Sequence, residues 1–171
     1  MQIILETPRL ILREMELADA PFFFELNSDP DVIKYTGDGG FKNLEESEKI
    51  IHYVQDQYKK NGYGRWLVIE KETSEPTGWC GLKLHNEDGF IDLGYRFMKK
   101  YWGKGYATEA SKACVDYGFN ILKLDRIIGR AMQENTSSIN VLKKMNMIYY
   151  KEDLCHGHDA FIYEIKKENY K

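Results

Sequence analysis

The sequence predicts a single α/β (α+β) domain: a mixed, mostly antiparallel sheet of about seven strands flanked by four helices. Three observations carry that expectation. A chain of 171 residues suits one domain, or two small ones, and no Pro/Gly/Ser-rich linker, repeat or low-complexity tract divides residues 1–171. Apolar residues make up 43% and charged residues 30%, the balance of a chain that buries a core. Strand-like and helix-like periods then alternate in the order β-α-α-β-β-β-α-β-α-β-β.

The elements follow from local pattern. Arg9 to Arg13 alternates charged and apolar residues as a short strand does, with Pro8 at its start. Leu17 to Leu26 reads as a helix, begun by Asp19 and Pro21 and ended by Asn27-Ser28-Asp29-Pro30. Gly37 to Gly40 reads as a mobile loop. Asn43 caps a longer helix carrying Leu44, Ile51, Val54 and Tyr58, closed at Asn61-Gly62. Three strands come next, at Trp66–Ile69, Trp79–His85 and Phe90–Met98. Glu75 to Gly78 turns between the first two, and Asn86 to Gly89 connects the second to the third. Gly103 opens a helix with Ala107, Ala110, Cys114, Tyr117 and Ile121 on one face. Arg126 to Met132 is a strand, Asn135 caps the last helix, and strands near Met147–Asp153 and Asp159–Ile165 close the chain.

Composition excludes several function classes. Twenty-four Lys and Arg against 27 Asp and Glu give a net charge of −3, so no basic footprint for nucleic acid or an anionic membrane is present. No uncharged run exceeds eight residues, whereas a membrane span needs ~20 apolar ones. Met1 to Arg13 lacks the pattern of a signal peptide. Cys80, Cys114 and Cys155 are odd in number and form no C-x-x-C pair, which argues against a disulfide framework or zinc site. The expectation is a cytoplasmic protein without metal, nucleic-acid or membrane partner.

The segment richest in chemistry is Tyr101-Trp102-Gly103-Lys104-Gly105-Tyr106-Ala107-Thr108-Glu109-Ala110, between a strand and a long helix. Two glycines allow a ligand close to the backbone, and the helix start offers unpaired N–H groups with a partial positive charge. Together they suit a phosphate or pyrophosphate, with Lys99, Lys100 and Lys104 adding charge. Thr108 stands where a Rossmann fingerprint needs Gly or Ala, and no Walker Gly-Lys-Ser/Thr follows.

This segment resembles the coenzyme A pyrophosphate loop of the GCN5-related N-acetyltransferase (GNAT) superfamily, Arg/Gln-x-x-Gly-x-Gly/Ala, here Lys100-x-x-Gly103-x-Gly105. The resemblance covers almost the whole chain and points to the branch of ribosomal-protein N-terminal acetyltransferases. Glu6 to Arg13 is similar to that branch's first strand, Ser28 to Gly37 to its first inter-helix connection, and Glu134 to Met145 to its last helix. The family closes that helix with Gly-Phe. Here Asn146-Met147 stands instead, with Asn suited to a left-handed turn and Met to an apolar gap.

The resemblance implies a GNAT fold and an acetyl-CoA-dependent N-acetyltransferase that acts by direct transfer. The acceptor is a primary amine: a protein N-terminus, a polyamine or a small molecule. The alternative is a coenzyme A-binding module without chemistry. Trp102, Gly103, Lys104, Gly105, Tyr106 and Ala107 would hold the pyrophosphate. Tyr95, Arg96 and Phe97 would bond pantetheine and the acyl oxygen through backbone N–H groups, and Asn135 would bond pantetheine or cap its helix. The family implies a monomer or homodimer.

Transfer requires a neutral amine, and amines in water are mostly protonated near neutral pH. Asp92, in Phe90-Ile91-Asp92-Leu93, resembles the family's strand glutamate base, with Glu87 and His85 as rivals. For the leaving thiolate, the family's helix tyrosine position is Leu142 here, which cannot donate. Ser138 is the resembling alternative, with Tyr149 and Tyr150 as outside candidates. Tyr35, Trp66 and Trp79 are possible walls of an acceptor groove. Glu45, Glu46 and Glu48 read as a solvated helix face.

Overall fold

The computed structural model describes residues 2–170. The chain runs β1 (Ile3–Glu6), β2 (Leu10–Arg13), α1 (Ala20–Leu26), α2 (Pro30–Ile33), α3 (Leu44–Asn61), β3 (Arg65–Glu70), β4 (Pro76–Leu84) and β5 (Ile91–Phe97). It continues through α4 (Tyr106–Asn120), β6 (Arg126–Met132), α5 (Thr136–Lys144), β7 (Ile148–Cys155) and β8 (His158–Lys166). The strands form one sheet in the order β1-β2-β3-β4-β5-β6-β8-β7. Every neighbouring pair is antiparallel except β5 and β6.

Alternation along the strands divides the two faces. On one, Lys83 sets its ammonium over the Tyr53 ring of α3, and Arg96 bonds Asn27 at the end of α1. On the other, Cys80 meets Cys114 of α4 at 3.6 Å, and Tyr95 reaches Ser138 of α5. Helices α1 and α3 therefore cover one face, and α4 and α5 the other. The core between sheet and helices includes Leu12, Ile51, Trp66, Leu82, Val115 and Phe119, each at most 1% exposed. Burying a side chain of this size stabilises by roughly 1.5–3 kcal/mol. Among the described residues no helix is long and apolar enough to cross a membrane.

The structure adds two elements to the expected set. Ile3–Glu6 is an eighth strand, pairing along β2, and its run of apolar residues carries no alternation to announce it. Pro30–Ile33 forms a single helical turn because the Asp29 side chain accepts from Asp31 N and Pro30 takes the first helical position. The residues read as a helix stop are thus also a helix start. The expected helix from Leu17 begins as a 3₁₀ turn, Leu17–Asp19. The turn expected at Glu75 to Gly78 lies earlier, since Pro76 is the first residue of β4, a position where its missing N–H costs no ladder bond.

Two face assignments need correction. Ile121 is 63% exposed, because it caps α4 where the helix has left the sheet, and Leu44 at the first turn of α3 is 42% exposed. The Gly37–Gly40 loop is anchored rather than free. Asp38 accepts from Thr36 Oγ1, Gly40 N and Arg96 Nη2, the last at 3.2 Å. The α3 caps are as expected, Asn43 accepting from Glu46 N and Gly62 sitting left-handed at the other end.

Candidate active site

The parallel strands β5 and β6 pair at one position, Asp92 opposite Ile128, whereas the antiparallel ladder of β4 and β5 runs from Gly78 to Leu84. Beyond Asp92, the backbone of Leu93 to Phe97 has no ladder partner on the β6 side. A wedge opens there, and Tyr95, Arg96 and Phe97 line one of its edges. It suits a thin, extended ligand that takes hydrogen bonds from strand N–H groups.

At the wide end of this wedge, a 3₁₀ turn (Lys99–Tyr101) leads into the glycine turn. Gly103 and Gly105 have φ of 75° and 81°, and Gly105 is the left-handed N-cap of α4 with no side chain capping the helix. The first-turn N–H groups and the positive end of the helix dipole are therefore left for an anion. Lys104, Tyr106 and Ala107 belong to this turn, and Trp102, about half exposed, fixes its indole by donating Nε1–H to Phe97 O at 2.9 Å.

The lysines are less free than the sequence suggests. Lys99 pairs with Asp31 at 2.6 Å and Lys100 with Glu75 at 3.3 Å. Lys104 stands 3.9 Å from Glu70, which also accepts from the Tyr106 hydroxyl. The residue that braces the turn is Arg9, which sequence reasoning missed. Its Nη1 donates to Lys104 O at 2.8 Å, its guanidinium lies over the Tyr106 ring, and its Nε donates to Glu109 at 2.7 Å. Glu109 also accepts from Thr7 Oγ1 and Arg9 N, which clasps the start of β2 to the first turn of α4. The signal was present in two separate motifs, Thr7-Pro8-Arg9 and Thr108-Glu109, with nothing in the sequence to join them.

At the narrow end, Asp92 is 8% exposed. Arg65 Nη2 donates to its Oδ2 at 2.8 Å, and His85 Nε2 stands 3.3 Å from the same oxygen. The guanidinium reaches it by lying against Gly94, where a Cβ would meet Arg65 Cζ at 2.5 Å, and it also bonds Gly81 O. Burial pushes the Asp92 carboxyl up, but the His85 hydrogen bond and the Arg65 charge outweigh it and hold it below the usual carboxylate range. Its Oδ1 is buried without a partner. So is the Nε1 of Trp79, whose ring lies between Arg65 and Arg96, 5.2 and 5.4 Å from their guanidinium carbons.

On the α5 side, the Tyr95 hydroxyl lies 2.8 Å from Ser138 Oγ and 2.9 Å from Ser138 O. Burial raises the Tyr95 phenol, and the Ser138 hydrogen bond opposes that rise. Sequence reasoning placed Tyr95 here for its backbone alone. Asn135 caps α5 by accepting from Ser138 N at 3.2 Å. Leu142 is 1% exposed and packs on Gly129 of β6, which explains an apolar residue at that position.

The remaining candidates fall elsewhere. Glu87 is exposed on the β4–β5 connection. Tyr149 packs on Phe161 and Tyr163 along β7 and β8, and Tyr150 on Phe90, so neither joins Ser138. Trp66 is core, edge-on to Tyr117. Tyr35 stacks under Lys34. Glu45 pairs with Lys49 and Glu46 accepts from Lys42 N, a solvated helix start.

Comparison with known proteins bears on the family and the fold. A family model described as an acetyltransferase (GNAT) domain matches residues 9–148. A Bacillus licheniformis protein named uncharacterized N-acetyltransferase p20 is 34% identical over 175 residues, 97% of each chain. The crystal structure of a GNAT-family acetyltransferase from Bacillus anthracis is 32% identical, covers 95% of this chain and 98% of its own, and superposes with a TM-score of 0.81. RimL, a ribosomal L7/L12 α-N-protein acetyltransferase in complex with coenzyme A, shares the fold at 16% identity, with a TM-score of 0.83 over 96% of this chain and 98% of its own.

Proposed function

Because the chain belongs to the GNAT family of acetyl-CoA-dependent N-acetyltransferases, we propose that it moves the acetyl group of acetyl-CoA directly onto a primary amine. A protein N-terminus, a polyamine and a small-molecule amine are the acceptor classes. The observation that carries this reading is the wedge between β5 and β6, with an uncapped glycine turn at its wide end and a buried carboxylate at its apex. The pyrophosphate rests on the backbone of Gly103 to Ala107, and pantetheine follows the free edge of Tyr95 to Phe97. The thioester carbonyl then lies near the apex, where a strand N–H holds the developing oxyanion.

Asp92 and its partners face the acceptor side, and that is where the amine gives up its proton. The amine lone pair attacks the carbonyl carbon, the C–N bond forms, and collapse of the adduct breaks the C–S bond. Ser138 protonates the departing sulfur, and the second nitrogen proton replaces the one Ser138 gives. Tyr95 orients that hydroxyl: its O–H donates to Ser138 O, and its oxygen, 2.8 Å from Ser138 Oγ, accepts the serine O–H until the thiolate competes for that proton. Measuring free thiol released from acetyl-CoA across a panel of primary amines tests the reading. Release is expected with one acceptor class. Gly105→Val puts a branched side chain at φ 81° beside the phosphates and should weaken coenzyme A binding more than tenfold, about 1.4 kcal/mol, by calorimetry. Tight coenzyme A binding with no release from any amine would overturn it.

A further inference from the structure

We infer that His85 is the group that takes the acceptor amine's proton, and that Asp92 is its positioning partner. This rests on the acetyl-transfer reading above. The starting point is what Arg65 does to Asp92. A guanidinium does not release its proton at any ordinary pH, so it stays a donor to Oδ2 throughout turnover. A carboxylate pinned in this way is charged but accepts a proton poorly, since protonation would break the pair inside a buried site.

The imidazole beside it has the complementary properties. With Nε2 turned to Asp92 Oδ2, the ring carries its hydrogen there and presents Nδ1 as an acceptor. No other hydrogen bond engages the ring among the described residues. The carboxylate also stabilises the imidazolium as it forms, the division of labour of an Asp–His pair. His85 has access that its partner lacks, its side chain being 20% exposed against 12% for Asp92. It follows Leu84, the last residue of the β4 ladder, with its backbone N–H donating to Phe90 O at 2.8 Å, two residues before Asp92 on β5.

The other charged groups around the pair are engaged elsewhere. Lys83, cross-strand from Asp92, sets its ammonium over Tyr53 of α3. Arg130 of β6 pairs with Asp153 of β7 and Asp88 of the β4–β5 connection, and Asp38 pairs with Arg96. Cys155, at the end of β7, is half-buried with its thiol pushed up by burial. The step balances simply. One proton passes from R–NH₃⁺ to His85 Nδ1, leaving a neutral amine and an imidazolium, and the imidazolium returns that proton to solvent after transfer.

The experiment uses the full chain with His85→Gln and Asp92→Asn. In His85→Gln, kcat/KM should fall ~10²–10⁴-fold and the acid limb of the pH–rate profile should disappear, with coenzyme A affinity retained. Added imidazole should restore part of the rate. In Asp92→Asn the acid limb should persist while kcat/KM falls, because the base is still present but no longer held by its partner. Nitrogen NMR of His85 reads the pair without turnover: the Nε2–H tautomer in the wild type and a mixture in Asp92→Asn. A wild type that acetylates amines while His85→Gln keeps its rate and acid limb overturns the inference, and so does an Nδ1–H tautomer. A wild type that acetylates nothing overturns the transfer reading instead, and the NMR result then stands alone for the pair.

Discussion

Two buried Arg–Asp pairs in this molecule look alike and are built differently. Arg13–Asp19 and Arg65–Asp92 have N–O distances of 2.6 and 2.8 Å, and their side chains are exposed by only 10% and 12% and by 13% and 12%. Asp19 is closed. Arg13 takes both of its oxygens in a fork, and Glu16 N adds a third donor. Asp92 is open: Arg65 and His85 crowd onto Oδ2 and Oδ1 has none. A fork that satisfies a carboxylate ends its chemistry and fixes the chain around it. A single-point grip leaves one face of the group for something that comes and goes. Burial and pairing are alike in the two; what differs is that Asp92 keeps a buried oxygen without a partner and Asp19 does not.

The largest expected effect tests the open pair. Asp92→Asn should lower kcat/KM by ~10²–10⁴-fold with the fold and coenzyme A binding intact. The same variant has a signature in acid unfolding. A carboxyl held below its unfolded value, about 3.9, adds stability that is present above that pH and lost as pH falls through the lower folded value. Denaturant titrations in the acid range should therefore flatten in Asp92→Asn.

Next in size is the closed pair. Asp19→Ala strands a buried guanidinium and should cost about 3 kcal/mol in urea unfolding, with kcat/KM unchanged well below the melting temperature. If Asp19→Ala lost activity without stability, the contrast between the pairs would collapse. Smaller again is the hydroxyl pair across the wedge. Ser138→Ala should lower the single-turnover rate by ~10-fold to 100-fold without weakening coenzyme A binding, because the thiol of coenzyme A is a fair leaving group.

How far the sequence spoke depends on the range of the interaction that decides each feature. Asn146 adopts φ 60° and Met147 is buried beside it, as the substitution for Gly-Phe implied, because a helix C-terminus is decided by its own last residues. The glycine turn was legible for the same reason. The helical turn at Pro30 was not, since Asp29 and Pro30 serve equally well to stop one helix or start another. The Arg65 grip on Asp92 depends on a register that brings Gly81 and Gly94 under the guanidinium, and on cross-strand partners 16 and 27 residues away. No local pattern encodes that. Leu142 was readable as the loss of a donor, but not as the packing partner of Gly129.

The clasp between Arg9 and Glu109 joins residues 100 positions apart. Closing so long a loop carries an entropic cost that the sheet between the two residues must offset. A ligand that binds the closed turn and not the unfolded chain would hold the two distant segments together by mass action, so saturating coenzyme A should raise the melting temperature, and raise it less in Arg9→Ala.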